Sequence, residues 1–98
     1  MSDYTKRHQQ IIDALTPERR RTFDEAYATA GLTMELAETV FRARERAGLT
    51  QAELARRMGT TQSAIAAIES AARTPTVKLL ERLARACRGR LTIRIGAA

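Results

Sequence analysis

Apolar residues recur at intervals of three and four along most of the chain, which predicts a series of α-helices. A weak first helix covers about residues 4–15. A second helix begins at residues 16–18, because the sequence Thr-Pro-Glu is typical of a helix N-terminus, and it is expected to stop at Gly31. A third helix is expected to begin after Thr33 as its cap and to end at Gly48.

The pattern is sharper after residue 49. Thr50 and Glu53 have the spacing of a capping box, in which each side chain binds the other residue's backbone N–H. The helix that follows is expected to end at Gly59, and a second short helix leads to a break at residues 74–76. A final helix is expected to end at Gly89. The apolar faces of these three helices consist of Leu54, Ala55 and Met58; of Ile65 and Ile68; and of Val77, Leu80, Leu83, Ala84 and Cys87.

Beyond Gly89 the period of the pattern changes from about 3.6 to two. Leu91, Ile93 and Ile95 alternate with polar residues, which predicts a β-strand. A lone strand leaves its backbone N–H and C=O groups without partners. Pairing with a second copy of the same strand across a two-fold axis would supply them. The alternative is a short irregular tail that lies on the body of the protein.

The two short helices over residues 51–70 predict a helix-turn-helix. Ala55 is small, which suits the close crossing of a second helix, and Gly59 permits the positive φ of a tight turn. A core shared by the two helices would fix their angle so that one of them protrudes. A generic helical hairpin is the alternative.

These residues resemble a known family. Residues 49–69 read Leu-Thr-Gln-Ala-Glu-Leu-Ala-Arg-Arg-Met-Gly-Thr-Thr-Gln-Ser-Ala-Ile-Ala-Ala-Ile-Glu, which is similar to the XRE/Cro-type repressor domain. The resemblance spans about residues 34–88. It implies an all-α, lambda-repressor-like domain of the five-helix type over residues 33–88, with an N-terminal helical extension over 1–32 and a C-terminal strand over 89–98.

The resemblance also implies how DNA would be read. Gln51 would bind a backbone phosphate, and the amide of Gln62 would pair with adenine, with Ser63 beside it. Ala66 and Ala67 offer only methyl contacts to thymine, so direct base readout is lean. The predicted DNA-binding residues are Gln51, Thr61, Gln62, Ser63, Ala66, Ala67, Arg73 and Lys78.

Charge supports a polyanionic partner. The net charge of +6 lies wholly in the second half, where residues 49–98 hold nine Lys/Arg against three Asp/Glu. Double-stranded DNA fits such a basic half. Arg73 and Lys78 are candidate phosphate contacts, and Arg56 and Arg57 either join them or are simply solvated. Ala71 departs from the family, which usually has glycine there, so the shape of the loop after the second helix is not predicted.

A single recognition helix does not provide enough specificity. One good base-pair contact contributes about 1–3 kcal/mol, whereas specific binding must exceed nonspecific binding by about 4–10 kcal/mol. A homodimer on a palindromic operator meets this requirement. The residues expected to form the dimer are those of the terminal strand, Leu91, Ile93 and Ile95.

The tail Gly-Arg-Leu-Thr-Ile-Arg-Ile, directly after the last helix, resembles the HigA-type antitoxins of type II toxin–antitoxin operons. That resemblance implies a dimer that represses its own operon and neutralises a RelE-fold, RNA-cleaving toxin. Residues 1–32 would contact the toxin or widen the core. Two alternatives remain, a stand-alone XRE-family regulator and an interaction module that has lost DNA binding, which the alanines at 66 and 67 keep open.

An enzyme is the least favoured class. His8 is the only histidine, and the sequence has no Cys/His cluster, carboxylate pair at useful spacing or phosphate-binding glycine loop, so no catalytic residue, cofactor or metal is expected. Cys87, the only cysteine, is expected to pack in the core, with a reactive thiol as the alternative. With no signal sequence or membrane-spanning run, the sequence predicts a bacterial cytoplasmic protein, bound to the nucleoid when on DNA.

Overall fold

The computed structural model describes residues 3–14 and 16–97, and the described chain contains five α-helices and no strand. The all-α expectation is therefore confirmed for this part of the chain. Residues 1–32 and 33–98 form two compact units. The helices are α1 (Asp3–Asp13), α2 (Pro17–Arg46), α3 (Gln51–Met58), α4 (Gln62–Glu69) and α5 (Val77–Ala86).

Helix α2 is a single 30-residue helix, so the prediction of a stop at Gly31 and a new start after Thr33 is wrong. At its beginning, the backbone N–H of Arg19 donates to the hydroxyl of Thr16 at 3.2 Å, as the sequence predicts. Glycine in a helix interior costs about 1 kcal/mol relative to alanine, which weakens a helix but does not end it. With no proline nearby and no positive φ at Gly31, the helix continues.

In the unit of residues 1–32, aromatic side chains provide the packing that the structure describes. The ring of His8 lies 5.7 Å from that of Phe23 and 6.3 Å from that of Tyr27, centroid to centroid, and the rings of Phe23 and Tyr27 are stacked at 6.3 Å. His8 and Phe23 are half-buried, and no described side chain of this unit is fully buried. Leu15, which the sequence places in the first helix, lies outside the described residues.

The unit of residues 33–98 contains the hydrophobic core. The apolar faces predicted for α3 and α4 are buried as expected, but Val77, predicted to face the core from α5, is 59% exposed. Val77 is the first residue of α5, and Leu83, later in the same helix, is buried. The core cluster consists of Val40, Leu49, Leu54, Ala55, Met58, Ile65, Ile68, Leu83 and Cys87.

The helix ends in this unit follow local sequence signals in most cases. The capping box of Thr50 and Glu53 is present, and the φ values of Gly48 and Gly59 are +70° and +68°. At the end of α5 the left-handed residue is Arg88, at φ +59°, and not the expected Gly89. The N–H of Gly89 still closes the helix by donating to the carbonyl of Ala84 at 2.8 Å.

The C-terminal segment does not form the expected strand within the chain. Residues 89–97 have no regular secondary structure. Leu91 is half-buried, whereas Ile93 and Ile95 are exposed. The physical reason is that the described chain offers this segment no neighbouring strand to receive its backbone hydrogen bonds. None of the described helices is both long enough and apolar enough to cross a membrane.

Candidate nucleic-acid interface

A tight connection sets the angle between α3 and α4. At Gly59 the chain adopts a left-handed conformation, and the N–H of Thr60 donates to the carbonyl of Ala55 at 2.9 Å. Thr61 then begins α4, because its hydroxyl accepts a hydrogen bond from the N–H of Ala64 at 3.1 Å. Thr60 and Thr61 are both residue types that cap helices, and Thr61 is the one that caps α4.

Helix α4 has a buried face and an outer face. Ile65 and Ile68 are buried in the core, whereas Gln62 and Ser63, in the first turn, are exposed. Ala66 and Ala67 are half-buried one turn later. Because residues three and four apart are neighbours on a helix surface, the two alanines lie beside Gln62 and Ser63. The structure therefore brings together the four residues predicted to face DNA bases.

An ion pair that the sequence analysis missed anchors the end of α4. Arg44 of α2 donates from Nε to Oε2 of Glu69 at 2.7 Å and from Nη2 to Oε1 at 2.8 Å. Its Nη1 donates to the carbonyl of Leu49 at 2.8 Å. The hydrogen bond to Glu69 is the main cause that raises the pKa of Arg44 above its ordinary value, against the opposing effect of burial. This bidentate pair fixes α4 to α2 with defined geometry.

The same carboxylate also holds Gln51, the predicted phosphate-binding residue. The side-chain Nε2 of Gln51 donates to Oε1 of Glu69 at 3.4 Å. An amide nitrogen carries two hydrogens, so the second can be donated to a phosphate oxygen. One sequence signal could have revealed this network. A carboxylate at a helix C-terminus opposes the helix dipole, so Glu69 in the last turn of α4 favours a cationic partner.

The loop after α4 has a left-handed turn despite lacking glycine. Ala71 adopts φ +62°, and the carbonyl of Ala67 accepts hydrogen bonds from the N–H groups of Ala72 and Arg73 at 2.9 and 3.1 Å. Arg73 is exposed in this loop, and Lys78 is exposed in the first turn of α5. Both predicted phosphate contacts are thus available to solvent.

The two other candidate phosphate contacts, Arg56 and Arg57, differ in whether their side chains bind another part of the chain. Arg56 is exposed at the end of α3, whereas Arg57 donates from Nη1 to the carbonyl of Ala86, at the end of α5, at 3.3 Å. In the reverse direction, Arg82 of α5 donates to the carbonyl of Met58 at the end of α3. These guanidinium groups satisfy helix C-terminal carbonyls and join α3 to α5.

Cys87 lies in the core rather than at a reactive surface. Together with Val40, Leu83 and Leu91, it lines a cavity of about 240 Å³ next to α2 and α5. Burial raises the pKa of its thiol above the ordinary value, which keeps the sulfur protonated and poorly nucleophilic at neutral pH. Within residues 3–14 and 16–97, no group of three or more His, Cys, Asp or Glu side chains is arranged to hold a metal ion.

Comparison with known protein families matches residues 40–93 to the helix-turn-helix family. The chain belongs to the helix-turn-helix family. The match is of the XRE type and includes α3, α4 and α5, so it identifies a DNA-binding transcriptional regulator. No curated protein and no solved structure matches the chain.

Proposed function

We propose that this helix-turn-helix protein is a sequence-specific, homodimeric repressor that acts as the antitoxin of a type II toxin–antitoxin operon. The observation that supports DNA binding is the exposure of Gln62 and Ser63 on α4. The opposite face of this helix, with Ile65 and Ile68, is buried in the core. A rigid scaffold with an exposed polar first turn suits entry into the major groove. The proposal assigns no catalytic residue to the chain.

The small number of base-reading polar side chains on α4 favours a dimer. Gln62 and Ser63 are the polar base-reading candidates, and two alanines follow them, so one subunit reads few bases. Two copies on a palindromic operator double the contacts and add half-site spacing as a source of specificity. The exposed Ile93 and Ile95 support a role for the tail in pairing, because a two-stranded ladder would supply backbone partners and place these side chains against those of the partner strand.

The antitoxin part depends on the tail after α5 and on the helical unit at residues 1–32. Both features accompany the helix-turn-helix in the antitoxins that the chain resembles. A stand-alone regulator is the second candidate, since the same helix-turn-helix would serve it equally well. The neighbouring gene separates them: a small basic reading frame of the RelE type supports the antitoxin, whereas its absence favours the regulator.

DNA binding is tested by titrating the full chain into its own promoter fragment at several salt concentrations. The logarithm of affinity should fall with the logarithm of salt concentration at a slope of about −0.9 per phosphate contact. Gln62→Ala should relax preference at one base position, and Arg73→Ala should weaken all sequences alike. Arg85→Ala, an exposed arginine on α5 outside the predicted interface, is the matched control. A flat salt response would overturn the proposal.

Toxin neutralisation and dimerisation need separate experiments. Expression of the neighbouring reading frame should arrest growth, and co-expression of this chain should restore it; growth arrest without rescue would exclude the antitoxin role. Deleting residues 91–98 should convert a dimer into a monomer in analytical ultracentrifugation. A dimer that persists after the deletion would show that the tail is not the pairing element.

A further inference from the structure

A cavity of about 240 Å³ lies between α2, α5 and the start of the C-terminal tail, within the unit of residues 33–98. It is lined by the buried Val40 and Leu83 and by the half-buried Leu80 and Leu91. Protein interiors have few voids larger than a water molecule, and this one has the volume of about eight waters. Because apolar cavities hold water poorly, a small organic molecule is the better occupant.

The rim of this cavity carries positive charge. Arg46 of α2 and Arg90 of the tail are exposed residues that line it. The Nη2 atom of Arg46 lies 3.8 Å from the point that a Cβ on Gly89 would occupy. Burial raises the pKa of the Cys87 thiol, and the charge of Arg46 is the largest opposing influence, so this guanidinium lies close to the cavity. Among the described residues, no carboxylate forms an ion pair with Arg46 or Arg90.

We propose that this cavity binds a small organic anion, a carboxylate with a short aliphatic or aromatic body. The apolar walls would cover the body of the ligand, and removal of that surface from water favours binding. The planar guanidinium of Arg46 presents paired N–H donors to a carboxylate, and Arg90 adds a second positive charge. Apolar walls with a few polar groups at one side are typical of small-molecule sites. The inference does not depend on the antitoxin function.

The charges disfavour two other occupants. The tail of a second copy would bring its own arginines toward Arg46 and Arg90, since residues 88–94 contain three arginines and no Asp or Glu. A DNA phosphate would neutralise the two guanidinium groups but would leave the apolar walls uncovered. A small anion with an apolar body satisfies both the charge of the rim and the apolar character of the walls.

The test titrates sodium hexanoate into the isotope-labelled, full-length chain and follows its amide signals by NMR. Hexanoate should bind with a Kd of about 1 mM or lower, as expected for a ligand of this size. The signals that shift should include those of Ala43, Leu91 and Thr92, which line the cavity. Hexanol lacks the carboxylate and acetate lacks the apolar body, so each should bind at least about tenfold more weakly than hexanoate.

Two kinds of variant separate the charge from the volume. Arg46→Gln with Arg90→Gln should weaken hexanoate binding at least about tenfold and should remove the preference for hexanoate over hexanol. Ala43→Leu should prevent binding of both ligands, because the larger side chain fills the cavity while both arginines remain. If this variant unfolds, Thr39→Leu replaces it, because Thr39 lines the cavity at an exposed position.

The matched control is Arg42→Gln with Arg94→Gln. It removes the same charge from the same helix and the same tail, at exposed residues that do not line the cavity. Loss of the exposed ion pair between Arg42 and Glu38 has little effect on folding. The control should bind hexanoate as the parent chain does. Circular dichroism verifies that every variant is folded.

Each outcome decides for or against the cavity. Absence of hexanoate binding to the parent chain, or amide shifts that lie away from the cavity, would overturn the proposal. Equal affinity for hexanoate and hexanol, or equal binding by the parent and the double variant of Arg46 and Arg90, would overturn the role of the arginines and the proposal with it. If Ala43→Leu converts a dimer into a monomer in analytical ultracentrifugation, the cavity belongs to a second copy. None of these measurements uses the toxin or DNA, so their failure leaves the proposed function untouched.

Discussion

Each of the two units of the chain is stabilised internally by a different kind of interaction. The described buried side chains belong to residues 33–97, where Leu54 and Ile65 are fully covered. In residues 3–32 the best-covered described side chains, His8 and Phe23, are only half-buried. Tertiary packing therefore stabilises residues 33–97. Residues 3–32 depend more on helix propensity and local contacts, which alone give marginal stability.

This difference has a functional consequence. The residues predicted to touch DNA lie on the packed unit, where α4 is fixed by the core and by the ion pair of Arg44 with Glu69. Base readout requires side chains held in place, and a rigid scaffold provides this. The lightly packed residues 3–32 are expected to open more easily than the packed unit, because fewer of their described side chains are buried.

The largest expected contrast is between core and surface truncation in the two units. Leu54→Ala should lower the free energy of unfolding by about 2–5 kcal/mol, because it leaves a cavity at a residue that is 0% exposed. Tyr27→Ala, at a residue that is 69% exposed, should change it by less than about 1 kcal/mol. Urea denaturation measures both. Equal losses would show that Tyr27 contributes as much to stability as a core side chain and would contradict the comparison.

The next contrast is between buried and exposed ion pairs. Glu69→Gln should cost about 3–5 kcal/mol at most, since it leaves Arg44 without its partner where the two side chains are 14% and 6% exposed. Glu38→Gln, whose pair with Arg42 is 58% and 75% exposed, should cost no more than about 1 kcal/mol. Urea midpoints measure the difference.

Replacing Arg44 and Glu69 together with Met is the control for this ion pair. Because no charge is then left uncompensated, the double variant should recover much of the stability lost in Glu69→Gln. It should still bind promoter DNA less well, because Gln51 loses the carboxylate that holds its amide. Unchanged DNA affinity would show that the network does not position Gln51.

These contrasts show which features the sequence could predict. The capping box of Thr50 and Glu53 and the turn at Gly59 were predictable because each depends on neighbouring residues alone. For Glu69, its place at a helix C-terminus indicates a cationic partner, but the identity of that partner was not predictable, because Arg44 is 25 positions away and only the packed fold brings the two together. The exposed first turn of α4 was predictable, since the pattern already separated its apolar face from Gln62.

The errors have a common cause. The stop at Gly31 was inferred from a local signal, but glycine only weakens a helix that its neighbours favour. The left-handed residues at Ala71 and Arg88 carry no local signal, because residues with a Cβ rarely adopt positive φ. The terminal strand was inferred from an alternating pattern and is not formed, because a strand also requires a neighbour, which the described chain does not supply.

The left-handed turn after α4 gives a third prediction. A non-glycine residue at positive φ costs about 1–2 kcal/mol, so Ala71→Gly should stabilise the unit of residues 33–98, by about 1 kcal/mol after the greater freedom of glycine in the unfolded chain is included. The melting temperature should rise by about 4–8 °C. Ala72→Gly, at the exposed neighbour without positive φ, is the control and should lower it.

The smallest expected effect comes from Gly31, where the two units meet along the sequence of α2. A Cβ at this helical position would meet no atom within 4 Å, so Gly31→Ala should stabilise the helix locally by about 0.5–1 kcal/mol. Amide exchange around residue 31 should slow, whereas the urea midpoint, set by the core, should barely move. Gly48→Ala, at φ +70°, should instead lower that midpoint. A clear rise of the midpoint in Gly31→Ala would show that all of α2 folds together with the core.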